Sequence, residues 1–252
     1  MNPLVRLHIA DGIARITLDD PARLNAISYR MTQDLNEALD EAERSARALV
    51  LTGAGRAFCS GAAVTEMDAW PPNALRAVLN PLLTRLRDFR LPIVTAMNGL
   101  AVGFACSVAL LGDIVLAADG AYFLLAFSQV GLVPDGNASF LLPRLIGRIR
   151  SAELMLLGER LPVNTALGWG LINRVVPAAE LQAESLRIAE KLARGPASLA
   201  ATRRLLWRGL EDGWLQHLES EAAEQEVAQQ SQDHQEGVAA FREKRTPRFT
   251  GR

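Results

Sequence analysis

The feature that most constrains the fold is a repeated order of strand-like runs and helical segments in the first part of the chain. ALVLTG precedes a glycine-bearing loop, and a helical stretch follows roughly from Leu75 to Phe89. IVTAMNG then precedes VGFACSVALL, which has the composition of a buried helix. DIVLAAD and AYFLLAF are two more strand-like runs. Such alternation predicts an α/β core.

Local signals place the first elements. Two β-like runs, VRLHIADG and IARITLDD, meet at Asp11-Gly12, a step that favours a tight hairpin. Ser28 stands where a helix N-cap is expected, and apolar residues follow it at helical spacing.

The pattern of apolar residues changes after about residue 148, and the remaining segments have helical periodicity. Gly195-Pro196 interrupts two of these segments. We predict a β/α core over 1–190 and a C-terminal helical region over 191–252.

Composition excludes several classes of protein. The 252 residues carry 27 Lys and Arg against 28 Asp and Glu, for a net charge of −1, which argues against a nucleic-acid binder. Cys59 and Cys106 form no metal-binding or disulfide pattern, so we expect no metal site and a reducing compartment. The apolar run 99–118 contains Asp113, and we interpret it as a buried helix and a strand rather than a membrane span. We therefore expect a cytoplasmic protein.

Two glycine-bearing loops, Phe58–Ala63 and Asn98–Ala105, each follow a strand and precede helical sequence. Glycine permits unusual backbone angles, and a helix N-terminus presents unpaired N–H groups. Two such loops brought together would form an oxyanion hole. The alternative is that both are tight strand–helix turns.

Asp135 is the single acid of the segment GLVPDGNAS, between apolar runs. It is a candidate catalytic base. The alternative is a Pro-Asp-Gly turn in which Asp135 caps a helix.

Taken together, the segments resemble the crotonase, or enoyl-CoA hydratase/isomerase, superfamily. The motifs are PARLNAIS, FCSGAAVTEM, IVTAMNGLAVGFAC, FSQVGLVPDG with LLPRLIG, LGERLPVNTALGWGLINRVVP and GVAAFREKRTPRFTGR, in order along essentially the whole chain. The resemblance implies a crotonase-type spiral of ββα turns with a helical C-terminal region, and a CoA thioester substrate. It also implies that the backbone amides of Ala62 and Phe104 hold the thioester oxygen.

The catalytic acids depart from the hydratase pattern. The two positions where hydratases of this family carry glutamates match Ser107 and Phe127. Asp135 remains, in a position where isomerases of the superfamily keep an acid; the match is nearest to phenylacetate-pathway-type and Δ3-Δ2-enoyl-CoA isomerases. One carboxylate suffices to move a proton from the α to the γ carbon of the acyl group.

The prediction is therefore a CoA-thioester isomerase that needs no metal or redox cofactor, with CoA as part of the substrate. Other reactions at the same site, including hydration or hydrolysis, and an inactive acyl-CoA-binding protein stay open. Glu66 and Asp68 are the reserve candidates for the base.

The resemblance also assigns CoA contacts. Lys244 at the basic C-terminus would bind CoA phosphates and Phe241 would line an acyl pocket. Arg23, Leu24 and Ala26 match positions near the CoA adenine and phosphates. A homotrimer or a dimer of trimers is implied, with C-terminal helices packed between subunits. Three aromatic residues would favour an apolar or aromatic acyl group if they line the pocket: Phe104, Phe127 and Phe140.

Overall fold

The computed structural model describes residues 3–63 and 69–252. Its strands are β1 Val5–Ala10, β2 Ile13–Leu18, β3 Ala48–Gly53, β4 Ala57–Cys59, β5 Ile93–Met97, β6 Leu100–Val102, β7 Ile114–Ala118, β8 Tyr122–Leu124, β9 Arg160–Pro162 and β10 Arg174–Val176. Its α-helices are α1 Tyr29–Ser45, α2 Asn80–Arg87, α3 Phe104–Leu110, α4 Ala138–Leu157, α5 Val163–Gly168, α6 Leu181–Ala193, α7 Ser198–Arg208, α8 Trp214–Gln229 and α9 Gln232–Glu243. A π-helical turn, Leu75–Leu79, leads into α2.

The main sheet has the strand order β1-β2-β3-β5-β7-β10, and every pair except the β1–β2 hairpin is parallel. Asp11 (φ 52°) and Gly12 (φ 75°) form the hairpin turn, which confirms the Asp-Gly prediction. The N-cap prediction is also confirmed, because the Ser28 hydroxyl accepts a hydrogen bond from Met31 N at 3.1 Å.

A smaller sheet, ordered β4-β6-β8-β9, lies beside the main one. Strands β3, β5 and β7 of the main sheet are each followed by a strand of the small sheet and then by helix: β3-β4-α2, β5-β6-α3 and β7-β8-α4. These three successive ββα turns confirm the predicted α/β spiral.

Two local predictions need correction. Val102 belongs to strand β6 and not to the buried helix, which starts at Phe104. The strand predicted over AYFLLAF covers only Tyr122–Leu124, and a 3-10 helix, Ala126–Val130, follows it. Val102 is extended because it pairs with Leu124 of β8, and the β8 strand ends where that pairing ends.

The apolar run 99–118 is divided among β6, α3 and β7. No helix in the described ranges 3–63 and 69–252 is long and apolar enough to cross a membrane. The boundary predicted at residue 190 falls inside α6, which packs on the main sheet through Leu181, Ile188 and Ala193. The helices α7 to α9 follow it.

Candidate active site

The two glycine-bearing loops lie side by side because their strands are neighbours. Strands β4 and β6 are parallel, with Cys59 paired to Ala101, so both loops leave the small sheet at the same edge. A Cβ at Gly61 (φ +94°) would lie 2.6 Å from Val102 O and 3.7 Å from Phe104 N. Gly103 has φ 55° and ψ −123°, a conformation that side chains disfavour. Glycine is thus required at both turns, for close approach and for backbone angle.

Two backbone N–H groups, those of Ala62 and Phe104, lie at this edge. Ile27 N donates to Gly61 O and Ala63 N donates to Ile27 O, so the bridge between the two segments skips the Ala62 amide. Phe104 is the first residue of α3, where an N–H has no partner within the helix. Among the residues that the structure describes, neither N–H has an acceptor. Paired donors of this kind can hold a developing oxyanion.

The loop at Arg23–Ala26 is fastened to the first of these turns. Ser60 N donates to Leu24 O at 3.0 Å, and Ser60 Oγ donates to Arg23 O at 3.2 Å. The structure therefore brings Arg23, Leu24 and Ala26 next to Ala62, as a common binding surface would require.

Asn25 is the residue that sequence reasoning missed in this loop. Its side chain is fully buried, and its Nδ2 donates to Ala54 O at 2.9 Å and to Ala57 O at 2.9 Å. Its Oδ1 accepts from Asp20 N at 2.9 Å. The detectable signal was an asparagine between apolar residues, whose amide needs both donor and acceptor partners when buried.

Asp135 lies just before α4, in a turn where Gly136 (φ 64°) and Asn137 (φ 62°) are both left-handed. The alternative interpretation, in which Asp135 caps a helix, is wrong. The N-cap residue of α4 is Asn137, and no side chain caps that helix end.

The Asp135 carboxyl group is half-buried and poorly solvated. Its Oδ1 is buried and has no hydrogen-bond partner among the described residues. Burial raises the pKa of the Asp135 carboxyl above its ordinary value, and a hydrogen bond from its own backbone amide offsets part of this rise. A carboxylate whose charge is poorly solvated is a stronger base than one in water.

Asp135 and the free amides are linked through the start of α3. A Cβ at Gly136 would lie 3.2 Å from Phe104 Cδ2 and 3.0 Å from Ser107 Oγ. A Cβ at Gly103 would lie 3.6 Å from Phe127 Cζ. The aspartate turn therefore packs on the residue that supplies the second amide, and Ser107 and Phe127 are buried beside them.

A cavity of about 570 Å³ opens at Asp135. Of the three aromatic residues expected to line an acyl pocket, only Phe140 lines this cavity, and the Arg144 guanidinium lies 3.5 Å from its ring centroid. Phe104 and Phe127 are buried core residues instead. A larger cavity of about 790 Å³ lies against β1, β2 and α6, and no predicted site residue lines it. The smaller cavity is the candidate site because it contains the carboxylate; Ala62 and Phe104 are not among its lining residues.

The predicted C-terminal contacts lie elsewhere in the chain. Phe241 is 85% exposed on α9, and Lys244 ends that helix in a left-handed conformation (φ 55°). None of the described contacts joins either residue to Arg23–Ala26 or to Ala62. Buried Asp233 holds the tail in place by accepting from Thr250 N at 2.7 Å and Gly251 N at 2.9 Å.

Other candidates contribute less. Burial raises the pKa of the Cys59 and Cys106 thiols to about 12, so neither is a nucleophile at neutral pH. Glu66 and Asp68 lie outside the described residues.

Comparison with known proteins places these features in a family. A family model described as enoyl-CoA hydratase/isomerase matches residues 8–252. A Rhodobacter capsulatus protein named "Probable enoyl-CoA hydratase" is 40% identical, with 98% of each chain covered. The 1,2-epoxyphenylacetyl-CoA isomerase of Escherichia coli is 37% identical, with 100% of each chain covered. The crystal structure of an enoyl-CoA hydratase from Polaromonas sp. JS666 has a TM-score of 0.91 at 30% identity, covering 98% of this chain and 99% of that one.

Proposed function

The chain belongs to the enoyl-CoA hydratase/isomerase family, and we propose that within this family it is an isomerase that moves a double bond in the acyl group of a CoA thioester. The observation that carries the proposal is that Asp135 is a half-buried carboxylate beside the free-amide loop, while Ser107 and Phe127 stand where hydratases of the family have glutamates. An isomerisation needs one group that takes and returns a proton. Hydration by the usual route needs two.

The proposed reaction runs through an enolate. The Asp135 carboxylate removes a proton from the carbon α to the thioester carbonyl of a 3-enoyl ester. The electron pair of that C–H bond moves toward the carbonyl oxygen, which accepts hydrogen bonds from the N–H groups of Ala62 and Phe104. Protonated Asp135 then gives the proton to the γ carbon, and the double bond becomes conjugated with the carbonyl.

This scheme is balanced without another reactant. Substrate and product are isomers, no electron leaves the acyl group, and the aspartate ends as it began. The chemistry therefore calls for no metal or redox cofactor, and CoA takes part only as the carrier of the acyl group.

Hydration at the same site is the second candidate, because a 40% identical relative carries a hydratase name. In that reaction Asp135 would activate water alone. A relative named 1,2-epoxyphenylacetyl-CoA isomerase, 37% identical over 100% of both chains, carries an isomerase name at similar identity. The sequence identities to these relatives do not distinguish the two reactions. A site with Asp135 as its one candidate acid favours isomerisation.

The CoA portion is proposed to lie along Arg23, Leu24 and Ala26. Phe241 and Lys244 would complete that site from a neighbouring subunit of a homotrimer or dimer of trimers, since they lie apart from it within one chain. Exposed apolar side chains on α4 support such an assembly, with Ile149 71% and Leu156 74% exposed. We expect the enzyme to act in the cytoplasm.

The test is mass spectrometry with ultraviolet absorbance on 3-enoyl, 2-enoyl and ring-epoxide acyl-CoA esters. Isomerisation leaves the mass unchanged, and hydration adds one water. Asp135→Asn, which keeps the size but cannot accept the proton, should lower kcat by about 10²–10⁴-fold. In D₂O, deuterium should enter the α or γ carbon of the product.

The matched control is Asp119→Asn, which removes the same charge from an exposed turn. It should keep the wild-type rate. A folded Asp135→Asn enzyme with wild-type turnover, or a product that has gained water, would contradict the proposal.

A further inference from the structure

The cavity at Asp135 has a polar wall on one helical face. Arg76, Asn80, Thr84 and Arg87 line it at intervals of three or four residues along the π-helical turn and α2. Residues at this spacing share one side of a helix. The face beside Asp135 therefore carries several hydrogen-bond donors. Thr84 Oγ1 already donates to Asn80 O at 3.0 Å and Arg87 Nη2 to Glu211 Oε2 at 3.0 Å.

The two arginines of this wall differ in their partners. Arg87 Nη2 lies 3.0 Å from Glu211 Oε2, and Arg87 Nε lies 3.6 Å from Asp88 Oδ1. Arg76 is exposed, and among the residues the structure describes no carboxylate lies within ion-pair distance of it. Arg76 thus brings to the cavity a positive charge that forms no ion pair with a described residue.

Two buried atoms beside the cavity also lack hydrogen-bond partners among the described residues. Asp135 Oδ1 and Arg87 Nε are both inaccessible to solvent and make no hydrogen bond to a described residue. Unsatisfied buried polar atoms are rare in folded proteins, and they often accompany a functional site. The cavity volume of about 570 Å³ is in the range of small-molecule sites.

We propose that this cavity binds an acyl group whose far end carries a carboxylate, and that Arg76 recognises that carboxylate. The inference rests on the proposed function, because it takes the cavity as the acyl site. An arginine guanidinium presents two parallel N–H donors that match the two oxygens of a carboxylate. Covering Arg76 with an apolar chain would remove its water and return no hydrogen bond, so a methyl-ended acyl group is disfavoured.

Binding measurements test this without relying on turnover. Adipyl-CoA and hexanoyl-CoA have acyl chains of equal carbon number, differ at the far end and lack a double bond to move. Isothermal titration calorimetry at low ionic strength should give a lower Kd for adipyl-CoA with the wild-type enzyme. Arg76→Gln should raise the adipyl-CoA Kd about tenfold, which is the loss expected for one charged hydrogen-bonded contact that is partly open to water. The same variant should leave the hexanoyl-CoA Kd within about twofold.

Arg194→Gln is the matched control, since Arg194 is an exposed arginine at the end of α6 and does not line the cavity. It should change neither Kd, and Arg76→Lys should restore part of the preference. Equal weakening of both esters by Arg76→Gln, or a wild-type preference for hexanoyl-CoA, would overturn the inference. Absence of isomerase activity with this binding preference intact would refute the proposed reaction alone.

Discussion

Removing the Arg203 side chain should destabilise the protein more than removing any ordinary surface arginine. Arg203 lies on α7, is 3% exposed, and reaches into the core between α2 and α3. Its Nε donates to Asp113 Oδ2 at 2.8 Å. Its two terminal nitrogens donate to the main-chain carbonyls of Leu86, Arg87, Phe89 and Leu111.

The expected loss follows from what the side chain leaves behind. Arg203→Ala strands a carboxylate whose pKa burial already raises, despite the opposing effect of the arginine. Breaking one partner of a buried ion pair costs about 3–5 kcal/mol, and the abandoned carbonyls at the ends of α2 and α3 place the loss in the upper half of that range. This is a large part of the roughly 5–15 kcal/mol stability of a folded domain.

The neighbouring Arg204 provides the control. It pairs with Glu224 through two hydrogen bonds of 2.9 and 2.7 Å, but its side chain is 40% exposed. Arg204→Ala should cost at most about 1 kcal/mol, as surface ion pairs do. Urea unfolding followed by circular dichroism, at two protein concentrations, gives the free energy of unfolding of each variant.

A double variant isolates the buried charge. Arg203→Ala with Asp113→Asn removes the uncompensated carboxylate and should recover part of the stability lost by Arg203→Ala alone. The reasoning fails if Arg203→Ala costs no more than Arg204→Ala. It fails also if Asp113→Asn makes the single variant less stable still.

Three further predictions concern the site. Phe104→Ala and Phe104→Pro both lose the buried ring, but only the proline variant loses the N–H group. The kcat of the folded proline variant should therefore be about 10²–10³-fold lower than that of the alanine variant. Equal rates would exclude the Phe104 amide as a donor. Burial raises the pKa of Asp135, and only the ionised carboxylate can accept a proton. The wild-type rate should therefore fall as the pH drops through that raised pKa, at a higher pH than for an exposed aspartate. A rate insensitive to acid would exclude Asp135 as the base. Lys244→Asn should raise KM for CoA esters more than it lowers kcat. Asparagine is chosen because it tolerates the left-handed conformation found at this position (φ 55°). An unchanged KM would contradict phosphate binding by Lys244.

The sequence by itself determined the elements that depend on local backbone preference. Asp11-Gly12 forms the hairpin turn because two successive residues there need positive φ. Ser28 caps α1 because its hydroxyl reaches an amide three residues ahead, and the apolar face of that helix follows from its spacing. Motif order also predicted the spiral fold and the family, which the comparisons confirm.

Tertiary structure decided whatever depends on residues far apart in the chain. Leu100–Val102 is a strand because β4 and β8 pair with it, although its composition also suits the start of a buried helix. The Asp135 carboxyl group is poorly solvated, and the residue does not cap a helix, because its turn packs on Phe104 and Ser107.

The same holds for the charges. The sequence shows arginines in the helical segments that become the π-helical turn and α7, but nothing local distinguishes an arginine buried among hydrogen-bond acceptors from an exposed one. Arg203 is buried because α7 packs where two helices end, and Arg76 lies beside a cavity lined by four separate stretches of the chain. Solvation and partners set the energy of a charge, and both are properties of the packed molecule.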